Sequence, residues 1–175
     1  MPPILLVPIA PVHRELIPPL ASSLATAFHS SVETTPGNGF DPLFAFDFGR
    51  NQYNSTAVIS AALDRFRKAS GKILCLTDVD LFVPVLTFVF GEAQLDGTVA
   101  VVSTFRLNET LYGLPENPRL LEERLIKESV HELGHTFGLI HCRDYNCVMH
   151  TSTSVEEIDV KGAEFCEVCK KRMAN

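Results

Sequence analysis

The stretch His131-Glu-Leu-Gly-His135-Thr-Phe-Gly-Leu-Ile-His141 decides how the rest of the chain is read. On an α-helix, residues four apart lie one above the other on the same face. His131 and His135 therefore point the same way, and two imidazoles can hold one Zn²⁺. Gly138 stands where that helix should stop, because glycine accepts the left-handed conformation that ends a helix. The chain then turns, and His141 can swing back as a third ligand. Three imidazoles leave a fourth position open for water, which is the arrangement of a catalytic zinc site. Glu132, next to His131, lies beside the metal face rather than on it. There it can act as general base toward that water, whose pKa zinc lowers to around 7.

Upstream, Asn117-Pro118 is an N-cap followed by proline at the first helical position, so the helix should run from there to about Phe137. Glu122 and Glu123 sit near its positive end. Leu121, Leu125, Leu133 and Phe137 form a stripe on roughly the opposite face from the histidines, since an offset of two residues is about 200°. One side of the helix can thus be buried while the other faces a cleft.

Downstream lies a second cluster. Four of the five cysteines, Cys142, Cys147, Cys166 and Cys169, fall within the last 34 residues. Two pairs with short internal spacings can each supply half of a tetrahedral site, and four thiolates close the shell, so this metal would be structural. A disulfide pair, free thiols or a redox Cys-x-x-Cys are the competing readings. An odd cysteine total without a secretory signal disfavours a disulfide framework. The expected division is a catalytic subdomain over 1–140 and a small subdomain over 141–175. The latter has too little core to fold alone and needs a staple.

Over its first half the chain reads as strand, helix, strand, helix, strand, which implies an α/β sheet layer. Ile4 to Ile9 is a continuous apolar run, read as a buried strand. Arg14 to Ser30 carries apolar residues at helical spacing, with Pro18 and Pro19 in its first turns. Ser31 to Thr35 is a short strand. Asn54 caps a second helix that should extend through Ala69, closed by Gly71. Lys72 to Thr77 and Gly97 to Ser103 are strands. Phe88 to Ala93 contains Gly91 and reads as an edge strand with a bulge.

The chain has 175 residues, a net charge of −6 and 46% hydrophobic residues, which suits one globular domain and excludes disorder. The acidic balance argues against nucleic acid or an anionic membrane as partner. The longest apolar stretch, Leu81 to Phe90, is broken by Pro84 and Thr87 and falls short of a membrane span. Without a basic leader, the apolar N-terminus reads as a first strand rather than a signal peptide. A monomeric cytoplasmic protein is the expectation.

The run from His131 to His141, followed by Cys142, Cys147, Met149, Cys166 and Cys169, resembles the archaemetzincin family. Arg50-Asn-Gln-Tyr-Asn-Ser55, Thr77-Asp-Val-Asp-Leu-Phe82 and Phe88-Val-Phe-Gly-Glu-Ala93 are similar to that family as well. The longer histidine pattern is the metzincin signature, in which a methionine turn follows. Met149 is the candidate, forming an apolar floor beneath the zinc. The resemblance implies an α/β (α+β), metzincin-like zincin fold. It would have a twisted mixed sheet with an antiparallel edge strand, backing and active-site helices, and a small zinc-stapled C-terminal subdomain. It also implies two Zn²⁺ per chain, one catalytic on His131, His135 and His141, the other structural on the four cysteines, and a peptide substrate.

Other residues carry weaker signals. Cys75 in an apolar strand reads as a buried thiol rather than a latency switch. Asp78 and Asp80 read as loop caps rather than a cation site. His150 yields the third-ligand role to His141, and His13 and His29 read as solvated helix flanks. Tyr145 is a poor candidate for a tyrosine near the zinc. Three functions compete: a zinc metallopeptidase with Glu132 as base, a zinc-stabilised peptide-binding module without catalysis, and a zinc hydrolase of a non-peptide amide. Glu132 favours catalysis, since a pure binding site needs no carboxylate beside the metal.

Overall fold

The computed structural model describes residues 1–173 of the chain. Its main sheet takes strands β1 (Ile4–Pro8), β2 (Val32–Thr34), β5 (Lys72–Thr77), β7 (Gly91–Ala93) and β8 (Val99–Ser103) in the order β2-β1-β5-β8-β7. All pairs are parallel except β7 with β8, so β7 is the expected antiparallel edge strand, but it is shorter than Phe88 to Ala93 and pairs with β8 in unbroken register, without the expected bulge. Between them lie β3 (Phe46–Asp47), β4 (Gln52–Asn54) and β6 (Leu81–Phe82), which form a separate three-stranded sheet. Strands this short carry no readable alternation, and that second sheet has no counterpart in the sequence reading.

The central strands are buried on both faces, which is why β8 reads Val-Ala-Val-Val-Ser without alternation. Along β5 the period of two divides the core. Leu74 and Leu76 join Leu20, Leu24 and Phe28 of α1 (Ile17–Phe28) and Leu125 and Leu133 of α3 (Pro118–Thr136). Ile73 and Cys75 face the other way, toward Val58, Ile59 and Ala62 of α2 (Ser55–Arg65). Cys75 is thus sealed on the sheet face opposite α3 and has no route to the histidines. Burial pushes its thiol up to about 12.

Helix starts follow their caps. Asn54 Oδ1 accepts from the Ala57 amide and Asn117 Oδ1 from the Leu120 amide. At the other end, α2 stops at Arg65 instead of continuing through Ala69. Phe66 leaves helical geometry at ψ 21°, and the Ala69 amide closes a turn onto Phe66 O. Two short helices follow the active-site segment, α4 (Val155–Val160) and α5 (Glu167–Met173). Their side chains Val155, Ile158 and Cys169 lie in the same core as Leu125 and Leu133. None of the helices among the described residues is long and apolar enough to cross a membrane.

Candidate active site

Helix α3 carries the first two candidate ligands. It ends at Thr136, and Gly138 (φ +80°) turns the chain in the left-handed region, as its position in the sequence implies. The turn brings His141 back against the helix. The candidate ligand nitrogens of His131, His135 and His141 all lie within 4.8 Å of one another. His131 Nε2 and His135 Nε2 are 3.1 Å apart.

The other ring nitrogens show how these rings are held. His131 Nδ1 donates to the Val148 carbonyl at 2.8 Å and His135 Nδ1 to the Leu139 carbonyl at 2.7 Å. A carbonyl only accepts, so each Nδ1 carries the proton and each Nε2 turns a lone pair inward. Two lone pairs facing each other repel unless a cation sits between them. Their separation suits a tetrahedral zinc with bonds of about 2.0–2.1 Å. Burial lowers all three imidazole pKa values, with the charge of Lys161 adding to the effect, and so favours the neutral, metal-binding form.

Glu132 is buried next to these rings. Its carboxyl is pushed well above the usual carboxylate range by burial, then by Glu128 and Glu92, with Lys161 opposing. Strand β7 lies directly against it. A Cβ on Gly91 would stand 2.7 Å from both Glu132 Cγ and the Val101 carbonyl, so only glycine lets the edge strand approach this closely. Beneath the helix, Met149 is fully buried, and a Cβ on Gly134 would stand 2.5 Å from its sulfur. Met149, the methionine expected as an apolar floor, is thus packed against α3, and the gap in the helix that admits it is Gly134. In the sequence Gly91 reads as a bulge marker and Gly134 carries no signal, because the packing role of each answers to a partner distant in the chain.

The four cysteines converge as well, with sulfurs within 4.8 Å of one another. Cys142 Sγ lies 3.8 Å from Cys166 Sγ, and Cys147 Sγ lies 3.8 Å from Cys169 Sγ. A disulfide needs about 2.05 Å. Zn–S bonds of about 2.3 Å in a tetrahedron place sulfurs about 3.8 Å apart, so the set fits zinc. The Cys169 backbone amide leads in lowering the Cys166 thiol to about 7, while burial raises Cys147 and Cys169. Backbone bonds join this cluster to the methionine turn, since the Cys142 amide donates to Met149 O at 2.9 Å.

One buried pair has no forerunner in the sequence reading. Lys161 Nζ stands 2.8 Å from Glu128 Oε1, with side chains only 1% and 5% exposed, and also donates to His150 O. Glu128 precedes Glu132 by one turn, so it shares the cleft face of α3. The cleft, about 480 Å³, is walled by Phe88, Phe90, Glu128, His131, Glu132 and Thr151, among others.

The weaker candidates fall elsewhere. His150 donates to Cys142 O and lies against the Tyr145 ring, tilted at 46°; Tyr145 is 76% exposed and does not line the cleft. Asp80 forms a paired bridge to Arg106, and Asp78 accepts from the Thr104 hydroxyl, so both bind side chains of other segments rather than capping their own loop. His13, read as a solvated end, is instead partly covered, between Glu15 and Asp78.

This fold and its zinc-fitting clusters are those of a zinc metallopeptidase. The model of peptidase family M54 matches residues 50–175. The chain is 40% identical over 132 residues to the archaemetzincin of Methanocaldococcus jannaschii, covering 75% of this chain and 72% of that protein. To the archaemetzincin of Archaeoglobus fulgidus it is 36% identical over 162 residues, covering 93% of each. The crystal structure of the A. fulgidus protein complexed with malonate superposes with a TM-score of 0.81 at 35% identity, covering 97% of this chain and 99% of that one. A zinc-dependent peptidase from Methanocorpusculum labreanum superposes at 0.87 with 31% identity and the same coverage. The chain belongs to peptidase family M54, among the archaemetzincins.

Proposed function

We propose that the chain hydrolyses peptide bonds with Glu132 as general base, and that it holds two zinc ions: a catalytic one on His131, His135 and His141, and a structural one on Cys142, Cys147, Cys166 and Cys169. The observation that carries this reading is the placement of Glu132, buried beside three convergent imidazoles and pressed against the edge strand at Gly91. When bound, the catalytic zinc supplies Lewis acidity toward the substrate carbonyl and acidifies a water molecule.

The protein's own groups do the rest. His131 and His135 are kept in one tautomer by the carbonyls of Val148 and Leu139. The free edge of β7 aligns the peptide backbone by strand addition. Glu132 takes the proton from the attacking water and later delivers it to the leaving amine. The four-cysteine site ties the C-terminal tail, through Cys166 and Cys169, onto the segment that follows His141, through Cys142 and Cys147. Thiolates that must stay reduced suit a cytoplasmic enzyme.

The test compares the parent with Glu132→Ala on a mixed peptide library, with zinc content measured beside turnover. We expect zinc to stay bound while cleavage falls by about 10²–10⁴-fold or more. His135→Ala should lose both the ion and the activity. Cleavage at the parent rate by Glu132→Ala would show that the base is another group.

A further inference from the structure

We propose that an apolar surface beside the cleft docks an apolar segment of the polypeptide being cleaved, outside the residues at the scissile bond. The inference rests on the peptidase reading above and names the substrate class it takes: unfolded chain with an apolar stretch near the cut.

The surface belongs to the three-stranded sheet β3-β4-β6 and the loops around it. Phe44, Phe46, Phe82 and Pro84 line a shallow depression of about 490 Å³. On its rim, Phe48 is 90% exposed and Val85 is 88% exposed, and Leu43, Phe44 and Leu86 are each more than half exposed. Phe48 sits edge-on to Phe46, with ring centres 5.0 Å apart, so rim and depression are continuous. Single exposed apolar side chains are ordinary, but a contiguous group marks an interaction surface.

The surface is also held in place. Arg50 lays its guanidinium over the Phe82 ring at 4.2 Å and donates to the carbonyls of Leu86 and Thr87 at 2.6 and 3.0 Å. Gln52 adds a second bond to the Thr87 carbonyl at 3.0 Å. The ridge carrying Val85 and Leu86 is thereby pinned from below. A pre-ordered surface loses little entropy when a partner settles on it.

Continuity with the cleft selects the occupant. Leu86 and Thr87 also form a wall of the cleft that holds His131 and Glu132. From the other side, Thr56 of the depression donates to Glu92 of β7, the strand that aligns substrate. A chain lying along β7 and passing Leu86 therefore runs onto the aromatic surface. A second copy of the protein seated there would abut the cleft wall and crowd the substrate. An anionic membrane is disfavoured, because Asp47 lines the depression, Asp41 caps the short 3-10 turn Pro42–Ala45 beside it, and Arg50 is already engaged by the Phe82 ring and the Leu86 and Thr87 carbonyls.

The experiment uses the full zinc-loaded chain and the double variant Phe48→Ser/Val85→Ser. Both side chains are almost wholly exposed and neither lines the cleft. Three peptides share one cleavable core: the bare core, the core with apolar extensions and the core with polar extensions. The parent should show a KM about tenfold lower for the apolar extensions than for the polar ones. The variant should lose that advantage while cleaving the bare core with an unchanged kcat/KM. Equal KM values in the parent, or an advantage kept by the variant, would overturn the proposal. So would a parent dimer that the variant turns into a monomer, or binding to neutral lipid vesicles that the variant loses. If the parent cleaves none of the peptides, the peptidase reading fails separately. Docking is then read from fluorescence anisotropy, where the labelled apolar peptide must bind the parent about tenfold more tightly than the variant.

Discussion

A Cβ on Gly134 would stand 2.5 Å from the sulfur of Met149, so the active-site helix and the methionine turn meet through the absence of a side chain. In a helix interior, exchanging glycine for alanine ordinarily stabilises by up to about 1 kcal/mol. Here overpacking, at about 1–3 kcal/mol, opposes that gain. Gly134→Ala should therefore destabilise the protein by up to about 2 kcal/mol in urea unfolding, and weaken zinc retention by shifting His131 and His135. Met149→Leu, which nearly conserves volume, should cost less than about 1.5 kcal/mol. A more stable Gly134→Ala protein would mean that the turn has room to retreat.

The two metal sites should differ in lability. Three imidazoles and an open position release an ion more readily than four enclosing thiolates. Titration with a mild chelator, followed by metal analysis, should remove one zinc equivalent and leave the far-ultraviolet circular dichroism unchanged. Loss of both ions together would contradict this.

Cys166→Ala should act on folding before chemistry. It removes one ligand of the candidate staple, and the bonds that tie Cys142 to Met149 and His150 then lack an anchor. Limited proteolysis should cut the C-terminal lobe faster than in the parent, with melting shifted downward. A variant with the parent's melting point and protease resistance would count against a structural metal.

The buried pair Lys161–Glu128 should be costly to break from one side. Lys161→Met or Glu128→Gln alone leaves an uncompensated polar or charged group in the core, at about 3–5 kcal/mol. The double variant should lose markedly less than the sum of the two. Additive losses in chemical denaturation would show that the two side chains are not energetically coupled.

Cys75 carries a pH dependence. Burial raises its folded pKa to about 12, above the 9.0 of an ordinary thiol. Its contribution to stability is thus fully present below about pH 9 and is lost as pH rises toward 12. At pH 10.5 the loss from this group alone amounts to about 2 kcal/mol. Cys75→Ala should flatten the fall in unfolding free energy between pH 8 and 10.5 relative to the parent. Identical slopes would mean that the thiol is solvated.

What was legible in the sequence was local. His131 and His135 converge because four residues make about one helical turn, and Gly138 announces the reversal that returns His141. The four cysteines were legible through their short spacings, and β1 through a continuous apolar run. The packing roles of Gly91, read only as a bulge marker, and of Gly134 were not, because each is defined by atoms of a distant residue that a side chain would meet. Lys161 is 33 residues from Glu128 and has no local signal tying it there. The second sheet was missed because its strands are two or three residues long, too short for a period to show. The overlong α2 came from helical spacing that continues in sequence after Phe66 has left the helix.

The brevity of β7 sets a ceiling on main-chain recognition. Phe90 O and Gln94 N are bonded into β8, so with a period of two, Gly91 and Ala93 turn their amides and carbonyls outward. Strand addition then offers about four hydrogen bonds at about 0.5–1.5 kcal/mol each. Immobilising a flexible peptide costs at least about 4 kcal/mol. Backbone pairing alone would thus leave a substrate bound at millimolar strength or weaker. Discrimination among sequences must come from the side chains that the cleft and its surroundings receive.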